Sequence, residues 1–173
     1  MRFFLIVFIS FGLNASYLDY KYENRNPSFN SFGQVGLIQT PTAENLKEGG
    51  VYFNFNYNEL YKFGALTVSP FDWMDASYFY YRPTDLLWGA YQGLYLDKGF
   101  NVKFTLDTEN IYIPKVAIGL DDFAGTGQFS KEYIVGTYDF TSFKASFGIG
   151  WGKFVGQKKY KNPLSYLSDS FSK

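Results

Sequence analysis

Residues 97–107 read Asp-Lys-Gly-Phe-Asn-Val-Lys-Phe-Thr-Leu-Asp, and residues 143–152 read Phe-Lys-Ala-Ser-Phe-Gly-Ile-Gly-Trp-Gly. In both stretches, apolar side chains alternate with small or polar ones. A period of two sends successive side chains to opposite faces of a β-strand, so each stretch predicts a strand with one apolar and one polar face. Between them, residues 121–127 read Asp-Asp-Phe-Ala-Gly-Thr-Gly, a composition typical of a turn.

Similar alternation recurs along most of the chain. It is clearest in residues 51–57, where Val51, Phe53, Phe55 and Tyr57 fall on one face. Further strands are predicted at residues 36–41, 61–69, 76–82, 111–120 and 130–140. Residues 42–46 predict a single helical turn, because Thr42 is a suitable N-cap. The pattern indicates an all-β protein, an antiparallel meander that forms a transmembrane β-barrel or part of one.

The first sixteen residues have the layout of a secretory signal peptide. Arg2 is the only charge before Asp19, residues 3–11 are apolar except for Ser10, and small residues follow. The alternative is an uncleaved N-terminal anchor, although the apolar run is shorter than the roughly 20 residues a spanning helix needs. We therefore predict a signal peptide at residues 1–16, a barrel domain at 17–152 and a polar C-terminal tail at 153–173.

Composition narrows the possible functions. The 16 basic and 16 acidic residues balance, so nothing favours a nucleic-acid partner. The chain has no cysteine, which excludes disulfides, thiolate metal sites and a lipid-modified N-terminal cysteine. It has no histidine either, so Ser-His and Cys-His nucleophilic machinery is absent. We expect no enzymatic activity and no cofactor.

Aromatic side chains make up 23% of the chain, which is the unusual feature of its composition. Transmembrane barrels place such rings in girdles where the wall meets the lipid headgroups. Two alternatives remain at this point. One is a soluble exported β-sandwich that binds glycans through exposed rings, and the other is a general small porin-like barrel.

An ordered set of short motifs resembles the YjbH-like family of outer-membrane proteins linked to exopolysaccharide production. The matching residues are Gly33-Gln34-Val35-Gly36-Leu37-Ile38, Pro41-Thr42-Ala43, Glu48-Gly49-Gly50, Pro70-Phe71-Asp72-Trp73, Asp97-Lys98-Gly99-Phe100-Asn101-Val102-Lys103, Pro114-Lys115-Val116-Ala117-Ile118-Gly119-Leu120-Asp121-Asp122-Phe123, Gly125-Thr126-Gly127, Glu132-Tyr133 and Gly148-Ile149-Gly150-Trp151-Gly152.

This resemblance implies a bacterial outer-membrane protein that assists the production or secretion of exopolysaccharide without catalysing a reaction. It implies three partners: outer-membrane lipid, exopolysaccharide and proteins of the export machinery. Two departures stand out. Family members look much longer, continuing with more strands after the Gly-x-Gly-Trp-Gly run, and some resemble lipoproteins, which need a cysteine that this chain lacks.

Seven residues are candidate contacts for a glycan or for a barrel lumen: Tyr78, Tyr80, Lys98, Lys103, Asp122, Glu132 and Trp151. The two tyrosines could stack on sugars or belong to a membrane girdle. The two lysines could steer an anionic polysaccharide or simply be solvated. Asp122 and Glu132 could converge as a carboxylate pair, for catalysis or for calcium, or could satisfy backbone donors in a turn. We expect the plainer structural role for this carboxylate pair.

Overall fold

A computed structural model describes residues 10–13, 27–84, 95–108, 110, 112–127, 129–140, 143–152 and 163–166. Its strands are β1 (Ser10–Leu13), β2 (Gly36–Leu37), β3 (Thr40–Pro41), β4 (Val51–Tyr57), β5 (Tyr61–Phe71), β6 (Met74–Pro83), β7 (Asp97–Leu106), β8 (Lys115–Asp121), β9 (Lys131–Asp139) and β10 (Phe143–Gly152). Within these residues, the only helical element is a short 3-10 turn at Pro163–Tyr166. None of the described helical structure has the length or apolarity to cross a membrane.

Eight strands form one antiparallel sheet in the order β1-β10-β9-β8-β7-β6-β5-β4. From β4 to β10 each strand pairs with the next one along the chain, which confirms the predicted all-β antiparallel meander. Strand β8 begins directly after Pro114, as expected for a residue that cannot donate to the ladder. Strand β5 continues past Pro70 to Phe71, because an irregularity in its register lies between Val68 and Phe71.

Strand β1 lies inside the region predicted to be a signal peptide. Its backbone pairs with β10, in the register that places Ser10 opposite Ser146 and Leu13 opposite Phe143. Residues 1–9, 14–26 and 85–94 lie outside the described part of the chain, as does most of the C-terminal tail. The division into signal peptide, barrel domain and tail therefore stays a prediction.

The exposed face of the sheet is mostly apolar, and its buried face mixes polar side chains with apolar ones such as Phe63, Phe79 and Val135. Apolar side chains run across neighbouring strands on what we call the outer face: one row joins Phe53, Leu66, Tyr78 and Phe100, and a second joins Phe104, Ile118, Ile134 and Ile149. Phe53 is 75% exposed and Ile149 is 49% exposed. The opposite, inner face carries polar residues that are almost fully buried, namely Thr67, Ser69, Asp75, Ser77, Asn101, Lys103, Thr105, Asp121, Lys131 and Thr137. A soluble sheet would bury apolar rows like those of the outer face.

Residues 28–48, which we call the covering segment, lie across the inner face. The segment contains the β2–β3 hairpin and an isolated bridge between Phe29 and Val35. Its Val35, Ala43 and Leu46 are buried against the sheet. The predicted helical turn at residues 42–46 is wrong, because two amides there donate to side chains of the sheet instead of to helical carbonyls. Ala43 N donates to Thr137 Oγ1 at 2.8 Å and Leu46 N to Asp75 Oδ1 at 3.4 Å.

Candidate functional site

Two ion pairs between adjacent strands organise the inner face. Lys103 on β7 lies directly opposite Asp75 on β6, with Nζ and Oδ2 separated by 3.0 Å. Lys131 on β9 lies opposite Asp121 on β8, with the charged atoms 3.3 Å apart. The side chains of both pairs are at least nine-tenths buried. Because an unpaired charge in such a place is costly, the antiparallel register that matches each lysine with an aspartate is essential to this face.

The covering segment completes the hydrogen bonding of these buried groups. Gln34 Nε2 donates to Asp121 Oδ1, and Lys103 Nζ donates to the Glu44 carbonyl oxygen. Farther along, Thr105 Oγ1 donates to Asn45 Oδ1 at 2.7 Å. Sheet and covering segment therefore share one polar network, which satisfies groups that neither could satisfy alone.

The loop after β8 folds back onto the start of β7. Asp122 adopts a left-handed backbone with φ of 51°, its amide donates to Asn101 Oδ1 at 3.0 Å, and its Oδ2 accepts from Phe129 N at 3.1 Å. Thr126 Oγ1 donates to Asp97 Oδ1 at 2.9 Å. Gly125 allows this approach, since a Cβ there would meet Asp122 Oδ1 and the Lys98 carbonyl. The loop is therefore a fixed structure and not a simple two-residue hairpin turn.

Burial raises the pKa of Asp122 from its ordinary value of 3.8 to about 6, the negative charges of Asp97 and Asp121 adding to the effect and the Phe129 amide opposing it. Oδ1 of Asp122 and Oδ2 of Asp97 are buried and have no hydrogen-bond partner among the described residues.

A cavity of about 270 Å³ lies between the covering segment, the inner face and this loop. Aromatic rings form one part of its wall: Phe32, Phe63, Phe79, Tyr81 and Phe129. The polar part consists of Gln39, Thr40, Asn101, Asp121, Asp122 and Lys131. Residues from six separate parts of the sequence meet here, and the combination of rings with convergent polar groups is what small-ligand sites provide.

Four of the seven predicted site residues are exposed or half-buried on the outer face, away from this cavity. Tyr78 and Tyr80 follow the outer-face alternation of β6, and their ring centroids are 5.3 Å apart. Lys98 pairs with Tyr80 in the register and is exposed, while Trp151 is half-buried near the end of β10. Neither tyrosine lines the cavity.

The other three candidates are buried, but they do not form one site. Lys103 is 3% exposed, which contradicts the expectation of a solvated lysine, because the covering segment lies over it. Asp122 lines the cavity on the inner side. Glu132 is placed by its register opposite Leu120 and Trp151, so it belongs to the outer-face alternation of β9. Asp122 and Glu132 therefore do not converge through the sheet.

The sequence did not point to most of the cavity residues. Phe79 and Tyr81 lie on the inner face of the strand that carries rings on both faces, and only the opposite pair, Tyr78 and Tyr80, was selected. The alternation in the sequence did contain a signal for these rings. Phe79 and Tyr81 are odd-numbered like Asp75, so the three side chains lie on the same face of β6. Among the described residues, no group of three or more histidine, cysteine, aspartate or glutamate side chains is arranged to hold a metal ion.

Residues 28–173 match the YjbH family, described as exopolysaccharide biosynthesis protein YbjH. The chain is 35% identical over 153 residues to the uncharacterized lipoprotein YjbH of Escherichia coli K12; the match covers 84% of this chain and 22% of that protein. The chain thus spans about a fifth of the length of this relative. No solved structure matches it. The extent of the family match and the sequence identity with this relative agree with the ordered motifs. The chain therefore belongs to the YjbH family of exopolysaccharide biosynthesis proteins.

Proposed function

We propose that this chain forms part of the wall of an outer-membrane β-barrel that assists the production or secretion of exopolysaccharide. The observation that carries the membrane part of the proposal is the inverted sheet, with rows of apolar side chains outward and paired charges inward. A wall between lipid and a polar interior requires this arrangement, whereas a soluble β-sandwich would bury the apolar rows under a second sheet.

The exopolysaccharide part of the proposal rests on membership of the family. The relative from Escherichia coli is named a lipoprotein, which supports export and attachment to a membrane for this chain too. Because the chain corresponds to about a fifth of that relative, we propose that it contributes some strands of a larger wall. A strand edge facing lipid would leave backbone groups without partners, so further strands or another chain would have to pair with its edges.

We propose a supporting role without catalysis. The sequence contains neither histidine nor cysteine, and the two carboxylates of the β8–β9 loop region, Asp97 and Asp122, each accept a hydrogen bond from a loop residue. Binding and guidance of a polymer need only rings and hydrogen-bonding groups, which the inner side supplies.

A charge placed on the outer face tests the membrane part. Ile134 lies in the middle of an outer row between Ile118 and Ile149, so Ile134→Lys would put an ammonium at mid-wall. We expect a cost of about 2–4 kcal/mol and a large loss of the membrane-inserted form, measured as the heat-modifiable, detergent-extracted species on gels.

Tyr112→Lys is the matched control, because Tyr112 lies outside the strands and is 80% exposed. It should leave insertion unchanged. Extraction of the unaltered chain by high salt without detergent would contradict the membrane proposal and favour the soluble glycan-binding alternative.

Exopolysaccharide secretion should fall when the gene is deleted and return when it is restored; unchanged secretion after deletion would overturn the exopolysaccharide part.

A further inference from the structure

We infer that the inner cavity is a binding site for one sugar unit of a polysaccharide, of the neutral hydroxyl-rich class. The inference rests on the proposed function and adds the residues and the ligand chemistry. At about 270 Å³ the cavity lies near the lower end of the roughly 300–1,000 Å³ that small-ligand sites occupy. One sugar ring suits that volume, and a longer stretch of polymer does not.

The aromatic side of the cavity offers ring faces for stacking. Phe63 and Phe79 are stacked with centroids 5.6 Å apart, and Tyr81 packs against Phe129 at 4.5 Å. The electron-rich face of such a ring attracts the weakly positive C–H bonds that line one side of a pyranose. Phe63 and Phe79 are 2% and 4% exposed, so they form the fixed base of this wall, and the half-buried Phe32, Tyr81 and Phe129 present the accessible ring surface.

The polar side offers groups that hydroxyls can bind. Asp121, Asp122 and Asn101 are all more than nine-tenths buried. Asp122 Oδ1 has no hydrogen-bond partner within the described chain, although Oδ2 of the same carboxylate accepts from Phe129 N. Oδ1 of Asp122 packs against Gly99 and Gly125 and is closed to a ligand. The accessible polar groups of the cavity are those of Gln39, which is exposed, and Thr40, which is half-buried. An amide and a hydroxyl both donate and accept, so each can bind a sugar hydroxyl.

The charges of the cavity decide between neutral and acidic sugars. Lys131 is already paired with Asp121 at 3.3 Å, and its Nζ lies 3.7 Å from the centroid of the Phe32 ring. Asp122 adds a second carboxylate that no lysine of the cavity neutralises. A uronic acid would bring its own negative charge towards this excess of negative charge. A neutral hexose is therefore favoured.

The experiment measures saturation-transfer NMR signals and dissociation constants of the methyl glycosides of glucose and galactose, with glucuronic acid for comparison, on the purified full chain in detergent. We expect binding of at least one neutral glycoside and at least tenfold weaker binding of glucuronic acid. Tyr81→Ala and Asn101→Ala should each weaken binding of the neutral glycoside about tenfold, since each removes one stacking face or one polar contact.

Tyr80→Ala and Asp72→Asn are the matched controls. Tyr80 is the neighbouring ring on the outer face, and Asp72 is exposed in the turn after β5. Both should bind like the unaltered chain. Circular dichroism distinguishes lost binding from lost folding. If Tyr81→Ala unfolds, the milder Tyr81→Leu still removes the ring and retains more of the buried volume.

Absence of binding for both glycosides, equal loss in the Tyr80 variant, or preference for glucuronic acid would overturn the inference. These results are independent of secretion. Intact secretion dependence without sugar binding would overturn only the cavity site, and sugar binding without secretion dependence would overturn only the proposed function.

Discussion

At the level of single residues, Lys103 is the clearest case of a side chain whose role depends on its partners. Desolvation of the ammonium is offset by Asp75 at 3.0 Å and by the Glu44 carbonyl oxygen. Such pairs contribute little net stability compared with an apolar replacement, but removing one partner leaves the other charge buried and unpaired.

Lys103→Met should therefore lower the free energy of unfolding by about 3–5 kcal/mol, because Asp75 would remain buried and unpaired. Urea titration in detergent micelles measures this change. Lys115→Met is the matched control: its ion pair with Asp107 is about half exposed, so the loss should stay under about 1 kcal/mol. Equal effects of the two substitutions would show that the buried pair has no special role.

Asp122 is a residue whose ionisation should matter near neutral pH. Its pKa in the folded chain is about 6, above the ordinary value of 3.8, so the folded state binds this proton more tightly than the unfolded state. The cost of holding Asp122 ionised is fully present above pH 6. It is relieved as the pH falls through 6 and has disappeared by about 3.8.

Asp122→Asn should raise the melting temperature at pH 7.5 and flatten its pH dependence between pH 6 and 4. An asparagine keeps an acceptor for Phe129 N and tolerates the left-handed backbone at this position. Melting curves of the variant and of the unaltered chain across this range provide the check. A variant that loses stability at pH 7.5 would mean that the ionised carboxylate stabilises the loop.

At the level of elements, the fit between β8 and β9 depends on a glycine, Gly119, which has no side chain. Gly119 on β8 lies opposite Tyr133 on β9, and a Cβ at Gly119 would fall on the Tyr133 ring. The ring is buried on the inner face, so it has little room to move. A glycine in a strand interior often marks such a close approach.

Gly119→Ala should therefore destabilise the chain by about 1–3 kcal/mol through overpacking, measured by urea titration. Gly136→Ala on the adjacent strand is the matched control. A Cβ there would lie 3.8 Å from the Lys115 carbonyl oxygen and 3.9 Å from that of Phe147, which are ordinary contacts. This control should be neutral or slightly stabilising, and a similar loss in both variants would contradict the role of the Tyr133 ring.

The strands were predictable from the sequence, whereas the position of the covering segment over them was not. Period-two alternation located β4, β7 and β10 within a few residues, because side-chain direction in a strand is a local property. The burial of Lys103 and Asp75 depends on residues 28–48, which lie far away in the sequence. Local propensity at residues 42–46 predicted a helical turn, but hydrogen bonds to Thr137 and Asp75 outweigh that propensity.

At the level of the whole molecule, the two faces of one sheet differ in chemistry. The outer rows present rings and branched aliphatic side chains, and the inner rows present charges that are matched across strands. The cavity lies on the inner side, and its wall needs the covering segment, the sheet and the β8–β9 loop together. This is why single-residue motifs selected Asp122 but missed Phe32 and Phe129.

The order of the strands also has a kinetic consequence. Strands β4 to β10 pair with their neighbours in sequence, so the meander can grow by closing one short loop after another. The covering segment is different: the bond from Ala43 to Thr137 joins positions 94 residues apart, and that from Gln34 to Asp121 joins positions 87 apart. Because long loops close at greater entropic cost, docking of this segment should come last in refolding. The interior would then stay accessible to solvent until the final step of folding.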